Sequence, residues 1–91
     1  MTHVDGHVDR GDVTLYALST CVWCKKTRAL LEELGVAYDY EYADLAAPAR
    51  QDEIEAEMMA LAGRASYPTL ITKNGYVVGF RPDEIKRLLS V

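Results

Sequence analysis

The chain has 91 residues, of which 49% are hydrophobic and 26% charged, and its formal net charge is −4. This length suits one domain with its own core, and the acidic balance argues against nucleic-acid binding. No apolar run approaches the roughly 20 residues that span a bilayer, and the polar N-terminus lacks a secretory signal, so we expect a cytoplasmic protein that does not bind membranes.

The first half of the chain predicts a strand, a helix and a second strand after a flexible arm. Residues 1–12 show neither helical nor strand periodicity, which predicts the arm. Residues 13–18 are mostly apolar, as in a strand covered on both faces. Apolar residues then recur at helical spacing from Val22 to a stop at Gly35. Alternation over residues 36–42 completes a βαβ unit.

The second half predicts a helix, a β-hairpin and a last helix. The helix begins at Pro48, in the first helical turn where proline is tolerated, and ends near Gly63. Two strand-forming runs follow, joined through Asn74-Gly75, a pair that supplies positive φ angles to tight hairpin turns. Pro82 opens the final helix. The order of elements is therefore βαβαββα, with residues 13–91 as the folded domain.

Both cysteines lie in Cys21-Val22-Trp23-Cys24, between the first strand and its helix. A CxxC pair in a βαβ setting is typical of redox-active dithiols. A sulfur at a helix N-terminus meets unpaired backbone N–H groups, and Lys25 would add positive charge that favours the Cys21 thiolate. We therefore expect Cys21 to be the attacking nucleophile and Cys24 the resolving thiol, with a reversible disulfide between them.

Two other interpretations of the cysteines remain open. They could be two small buried residues without chemistry, although the strand-to-helix setting argues against this. Alternatively, His3 and His7 could join Cys21 and Cys24 in a structural zinc site. Structural zinc usually replaces a hydrophobic core, which this chain already has, so we expect no metal.

The pattern resembles the glutaredoxin branch of the thioredoxin superfamily, through its strand-CxxC-helix opening, its Tyr67-Pro68-Thr69 strand start and its glycine-ended hairpin. The resemblance covers residues 14–89. It implies an α/β thioredoxin fold of three layers (α/β/α) with a four-stranded mixed sheet. It also implies that Pro68 is cis and faces the dithiol, so that Tyr67 and Pro68 form one wall of the substrate site.

Two departures from this resemblance concern the source of electrons. Glutaredoxins that use glutathione usually carry a lysine where this chain has Leu18. In addition, Gly79-Phe80-Arg81-Pro82 is similar to the signature of NrdH redoxins, which take electrons from thioredoxin reductase and reduce ribonucleotide reductase. Trp23 is unusual for either group and is either an apolar lid over the thiols or a packed aromatic. Arg81 either is solvated or holds the Phe80 turn or a partner carboxylate.

The resemblance implies a monomeric thiol–disulfide oxidoreductase that reduces protein disulfides, without a tightly bound cofactor. The implied partners are disulfide-containing proteins, thioredoxin reductase or glutathione as reductant, and ribonucleotide reductase as one acceptor. The expected substrate contacts are Trp23, Tyr67, Pro68, Gly79, Phe80 and Arg81. A glutathione-dependent glutaredoxin is the nearest alternative within the same chemistry.

Overall fold

A mixed five-stranded sheet forms the centre of the protein, and the computed structural model describes all residues from 1 to 91. The elements are β1 (Thr2–Val4), β2 (Val13–Ala17), α1 (Val22–Glu33), β3 (Tyr38–Tyr42), a 3-10 turn (Ala43–Leu45), α2 (Pro48–Ala62), β4 (Thr69–Thr72), β5 (Gly75–Val78) and α3 (Pro82–Leu89). The spatial order is β1-β3-β2-β4-β5. Strands β2 and β3 are parallel, and the other three pairs are antiparallel. None of the helices combines the length and apolarity needed to cross a bilayer.

Side chains alternate along β2 between two hydrophobic clusters, one on each face of the sheet. Val13, Leu15 and Ala17 join residues of α1 and α3 in a cluster of 11 buried residues. Tyr16 points the other way and packs with Ile54 and Met58 of α2 in a cluster of four. The fold is therefore an α/β/α sandwich, which confirms the predicted class and places β2 at its centre.

The predicted four-stranded sheet lacks one strand that the structure contains. Residues 2–4 form β1 and pair antiparallel with β3, in the register Thr2 with Tyr40 and Val4 with Tyr38. Val8 also bridges Val36 of the turn that leads into β3. A three-residue strand is too short to show alternation in a sequence, so the arm gave no strand signal. The arm consequently covers the outer edge of β3.

Removing residues 1–12 is expected to lower stability without changing the fold of residues 13–91. The truncation loses the β1 pairing and the 2.8 Å hydrogen bond from Arg10 Nε to the Leu89 carbonyl, which ties the arm to α3. We expect a loss of about 1–3 kcal/mol, which lowers the melting temperature of a domain this size by roughly 5–20 °C. Thermal unfolding by circular dichroism measures this, with Arg10→Ala as the control for the α3 contact. An unfolded truncation would show that residues 13–91 are not an independent domain.

The hairpin between β4 and β5 turns one residue earlier than the Asn-Gly pair suggested. Thr72 pairs with Gly75, so the two loop residues are Lys73 and Asn74, and Gly75 with a φ of 140° already lies in β5. The Thr72 hydroxyl accepts a 3.0 Å hydrogen bond from the Asn74 backbone N–H. That side-chain contact stabilises the turn without a positive φ at Asn74, which explains why the loop consists of Lys73 and Asn74.

Candidate active site

The two cysteines lie where β2 ends and α1 begins. Cys21 is the N-cap of α1, and its Sγ accepts a hydrogen bond from the Cys24 backbone N–H over 3.2 Å. The Leu18 backbone N–H approaches Cys24 Sγ at 3.5 Å, and the Leu18 carbonyl accepts from the Cys21 N–H at 3.2 Å. The turn of residues 18–20 therefore contacts both cysteines and fixes their relative placement.

The two thiols differ in exposure and in pKa. Cys21 is partly exposed, whereas Cys24 is 1% exposed and belongs to the larger core cluster. Burial, together with the neighbouring Cys21, raises the pKa of Cys24 well above its usual range. Cys24 therefore stays protonated at neutral pH, and Cys21 is the sulfur that an incoming disulfide can reach.

The segment at Tyr67 and Pro68 precedes β4 and lies at the end of β2 that leads to the cysteines, since Thr69 pairs with Tyr16. The Tyr67–Pro68 peptide bond is cis, as the resemblance implies, and the Pro68 carbonyl accepts a 2.7 Å hydrogen bond from the Gly79 N–H. Tyr67 packs against both core clusters. Burial raises the pKa of the Tyr67 hydroxyl, and the charges of Glu55 and Asp44 raise it further. Tyr67 therefore keeps its proton at neutral pH.

Trp23 and Phe80 stack although they lie far apart in the chain. Their ring centroids are 6.0 Å apart with an interplanar angle of 26°. Trp23 is 54% exposed, so it is not a packed core aromatic. Arg81, next to Phe80, donates from Nε to the Val78 carbonyl at 3.2 Å and approaches Glu84 at 3.5 Å. Arg81 is thus exposed and bonded to the turn that carries Phe80.

Asp44 is a residue of the site that the sequence alone did not indicate. One carboxylate oxygen accepts a 2.9 Å hydrogen bond from the Ser19 backbone N–H, and the other accepts from the Ser19 hydroxyl. These bonds lower the pKa of Asp44 and keep it ionised. The available signal was its position, since Asp44 follows β3 at the edge where parallel β2 also ends. Asp44 therefore clamps the turn that precedes Cys21.

Comparison with known proteins decides the family. The family model described as "Glutaredoxin" matches residues 13–77, which include β2, both cysteines, α1 and the Tyr67–Pro68 segment. The chain belongs to the glutaredoxin family. Its relatives are thiol–disulfide oxidoreductases of the thioredoxin superfamily.

Solved structures of the same superfamily superpose closely on this glutaredoxin. The glutaredoxin of Methanosarcina mazei Go1 gives a TM-score of 0.93 at 44% identity, over 99% of this chain and 87% of the other. The methanoredoxin of Methanosarcina acetivorans gives 0.88 at 37% identity, over 94% and 90%. The glutaredoxin-like NrdH-redoxin of Escherichia coli gives 0.69 at 28% identity, over 86% and 95%. The predicted likeness to both glutaredoxins and NrdH redoxins is confirmed.

The histidines of this glutaredoxin lie apart from its cysteines, contrary to the zinc hypothesis. His3 pairs with Asp39 in the β1–β3 ladder, and Asp39 pairs with Thr14 near the start of β2, whereas Cys21 follows the end of β2. The His3 ring contacts the Asp39 and Asp5 carboxylates at 2.8 and 3.1 Å. The structure contains no cluster of three or more metal-ligating side chains. The His7 ring lies against Gly35, just past the C-terminal end of α1, whereas Cys21 caps its N-terminus, so the four residues that the zinc hypothesis joined are not brought together.

Proposed function

We propose that this protein reduces disulfides in other proteins by dithiol exchange, with Cys21 attacking and Cys24 resolving. The difference in accessibility between the thiols carries the proposal, since one sulfur is partly exposed and the other is buried three residues away. Lys25 lies in the first turn of α1, is exposed and forms no ion pair, and we propose it as the positive charge beside the reacting cysteines. Tyr67 and Pro68 supply the wall against which the substrate backbone lies.

The exchange proceeds in two balanced steps. The Cys21 thiolate attacks one sulfur of the substrate disulfide, forming a Cys21–substrate disulfide and releasing the other substrate sulfur as a thiolate that takes up a proton. Cys24 then loses its proton and attacks Cys21 Sγ, which forms the Cys21–Cys24 disulfide and releases the second substrate thiolate. Two electrons pass from the protein dithiol to the substrate, and an external reductant must return them.

We propose thioredoxin reductase as that reductant, with ribonucleotide reductase as one acceptor and redox homeostasis of the cytoplasm as the general role. Two features support this choice. Leu18, at the position where glutathione-dependent relatives carry lysine, offers only an apolar side chain to a glutathione carboxylate. The Gly79-Phe80-Arg81-Pro82 segment is similar to that of NrdH redoxins, and the Escherichia coli NrdH-redoxin is described as having a thioredoxin-like activity profile.

Coupled NADPH oxidation tests the proposed function and its electron source together. The protein is mixed with a disulfide substrate such as insulin and with either thioredoxin reductase or glutathione plus glutathione reductase. We expect turnover with thioredoxin reductase to be faster by about tenfold or more. Glutathione would find no charged side chain for its carboxylate at Leu18 of this protein. Faster turnover with glutathione would identify a glutathione-dependent glutaredoxin. The absence of turnover with both systems, and of any reaction of the reduced protein alone with disulfides, would contradict the activity itself.

A further inference from the structure

An exposed aromatic surface lies immediately beside the attacking cysteine. It consists of Trp23 and Phe80, with Val22 at its margin. Val22 and Trp23 are 60% and 54% exposed, and Phe80 is half-buried against Trp23 in the stack. Val22 and Trp23 are the two residues between the cysteines, so this surface borders the approach to Cys21. We name it the aromatic platform.

Positive charge borders the aromatic platform, although the protein as a whole is acidic. Lys26 Nζ lies 4.7 Å from the centroid of the Trp23 ring, a cation–π contact. Lys25 and Lys26 are both exposed, and neither forms an ion pair. The first turn of α1 contains no acidic residue, and the acids of this helix, Glu32 and Glu33, lie at its other end. The start of α1 is thus positively charged, although the net charge of the chain is −4, and the nearest carboxylates, Asp44 and Glu84, are bonded to Ser19 and Arg81.

These two properties together restrict the kind of partner that fits. Apolar aromatic surface next to a reactive sulfur is covered most favourably by an apolar or aromatic side chain. Unpaired lysines at its border attract carboxylates and repel basic segments. Glutathione disulfide carries carboxylates but has no apolar side chain that could cover the platform. A protein segment that contains both an apolar side chain and a carboxylate can contact the aromatic rings and the lysines at once.

We propose that the preferred substrates are protein disulfides in which an aromatic or large apolar residue and an acidic residue flank the reacting cysteine. This inference rests on the proposed function and adds the substrate class. The apolar residue covers Trp23 and Phe80 while the carboxylate pairs with Lys26. The charge of the platform steers acidic segments toward Cys21 and slows the approach of basic ones.

Single-turnover reactions of the reduced protein test this without any reductase. The substrates are three disulfide-linked peptides that share one aromatic residue beside cysteine and differ only in carrying glutamate, glutamine or lysine next to it. At low salt we expect the acidic peptide to react about tenfold faster than the glutamine peptide and the basic peptide to react more slowly than both. The difference should shrink strongly near 0.5 M salt, where exposed charges are screened. Equal rates for all three peptides at low salt would overturn the proposal.

Variants test whether the preference for acidic and aromatic peptides arises at the aromatic platform. Lys26→Gln is expected to reduce the ratio of the acidic to the glutamine rate constant at least about threefold. Lys73→Gln removes an equal charge from the β4–β5 loop, at the opposite end of β2 from Cys21, and should leave the ratio unchanged. Trp23→Ala should slow the aromatic peptide relative to a matched alanine peptide. A ratio that falls equally in both lysine variants would contradict a local role for Lys26.

A small neutral disulfide, 2-hydroxyethyl disulfide, separates this proposal from the function on which it rests. If the reduced protein reacts with that compound but does not distinguish the three peptides, the activity stands and the substrate class is wrong. If it reacts with no disulfide, the proposed function itself is wrong.

Discussion

Replacing Cys21 with serine is expected to abolish disulfide reduction, with a loss of at least about a thousandfold in the rate with a model disulfide. A serine hydroxyl cannot attack a disulfide sulfur, and Cys24 cannot substitute because it is 1% exposed and burial raises its pKa. Cys24→Ser has a different expected result. The first exchange step still occurs in that variant, so the Cys21–substrate mixed disulfide accumulates and can be identified by mass spectrometry.

Circular dichroism and thermal unfolding provide the control, because serine at Cys21 replaces a partly exposed N-cap with another good N-cap residue. The Cys21→Ser variant should therefore remain folded while inactive. Full activity in Cys21→Ser, or mixed disulfides formed through Cys24 in place of Cys21, would show that the roles of the two thiols are assigned wrongly.

Asp44→Ala is expected to slow disulfide reduction about tenfold, although Asp44 does not contact the substrate. The substitution removes both hydrogen bonds to Ser19 and so frees the turn that presents Cys21. Ser19→Ala is the matched variant, since it removes the hydroxyl but keeps the backbone N–H bond to Asp44. Single-turnover rates should fall less in Ser19→Ala than in Asp44→Ala. If both variants react at the wild-type rate, the positioning role is contradicted.

Asp44→Asn separates the charge of this residue from its hydrogen bonds. The amide oxygen can still accept from the Ser19 N–H, but the negative charge is lost. Burial and the neighbouring Cys21 are the larger causes of the raised pKa of Cys24, and the charge of Asp44 adds to them. The resolving step needs the Cys24 thiolate, so its rate rises about tenfold per pH unit below that pKa. In Asp44→Asn the plot of the resolving rate against pH should move to lower pH, because removing a nearby negative charge lowers the pKa of Cys24. A profile unchanged in Asp44→Asn would show that the carboxylate acts only as a clamp.

The features that the sequence predicted well are those set by local spacing. The helix that begins at Val22, the proline at the start of α2 and the one at the start of α3 all follow from short-range rules, and the structure confirms them. The Cys21–Cys24 pair belongs to the same class, since the strand-to-helix junction that gives it meaning lies within the surrounding 20 residues.

The features that the sequence missed depend on contacts between distant segments. β1 is only three residues long and is defined by its pairing with β3, about 36 positions away. The Asp44–Ser19 clamp spans 25 positions, and the Trp23–Phe80 stack joins two ends of the domain. The sequence singled out Trp23 and Phe80 separately, and the position of Asp44 after β3 placed it at the right edge of the sheet, but neither signal shows which residues contact each other.

The Trp23–Phe80 stack has a consequence for how such a protein can diversify. The glutaredoxin model matches residues 13–77, which contain the two thiols, while Phe80 lies just beyond that stretch in the turn held by Arg81. Gly79 has a φ of 89° and bonds the Pro68 carbonyl, and Arg81 bonds the turn, so Phe80 is the residue of this loop whose side chain is free to change. A substitution at Phe80 would alter the apolar surface beside Trp23 and leave both thiols in place.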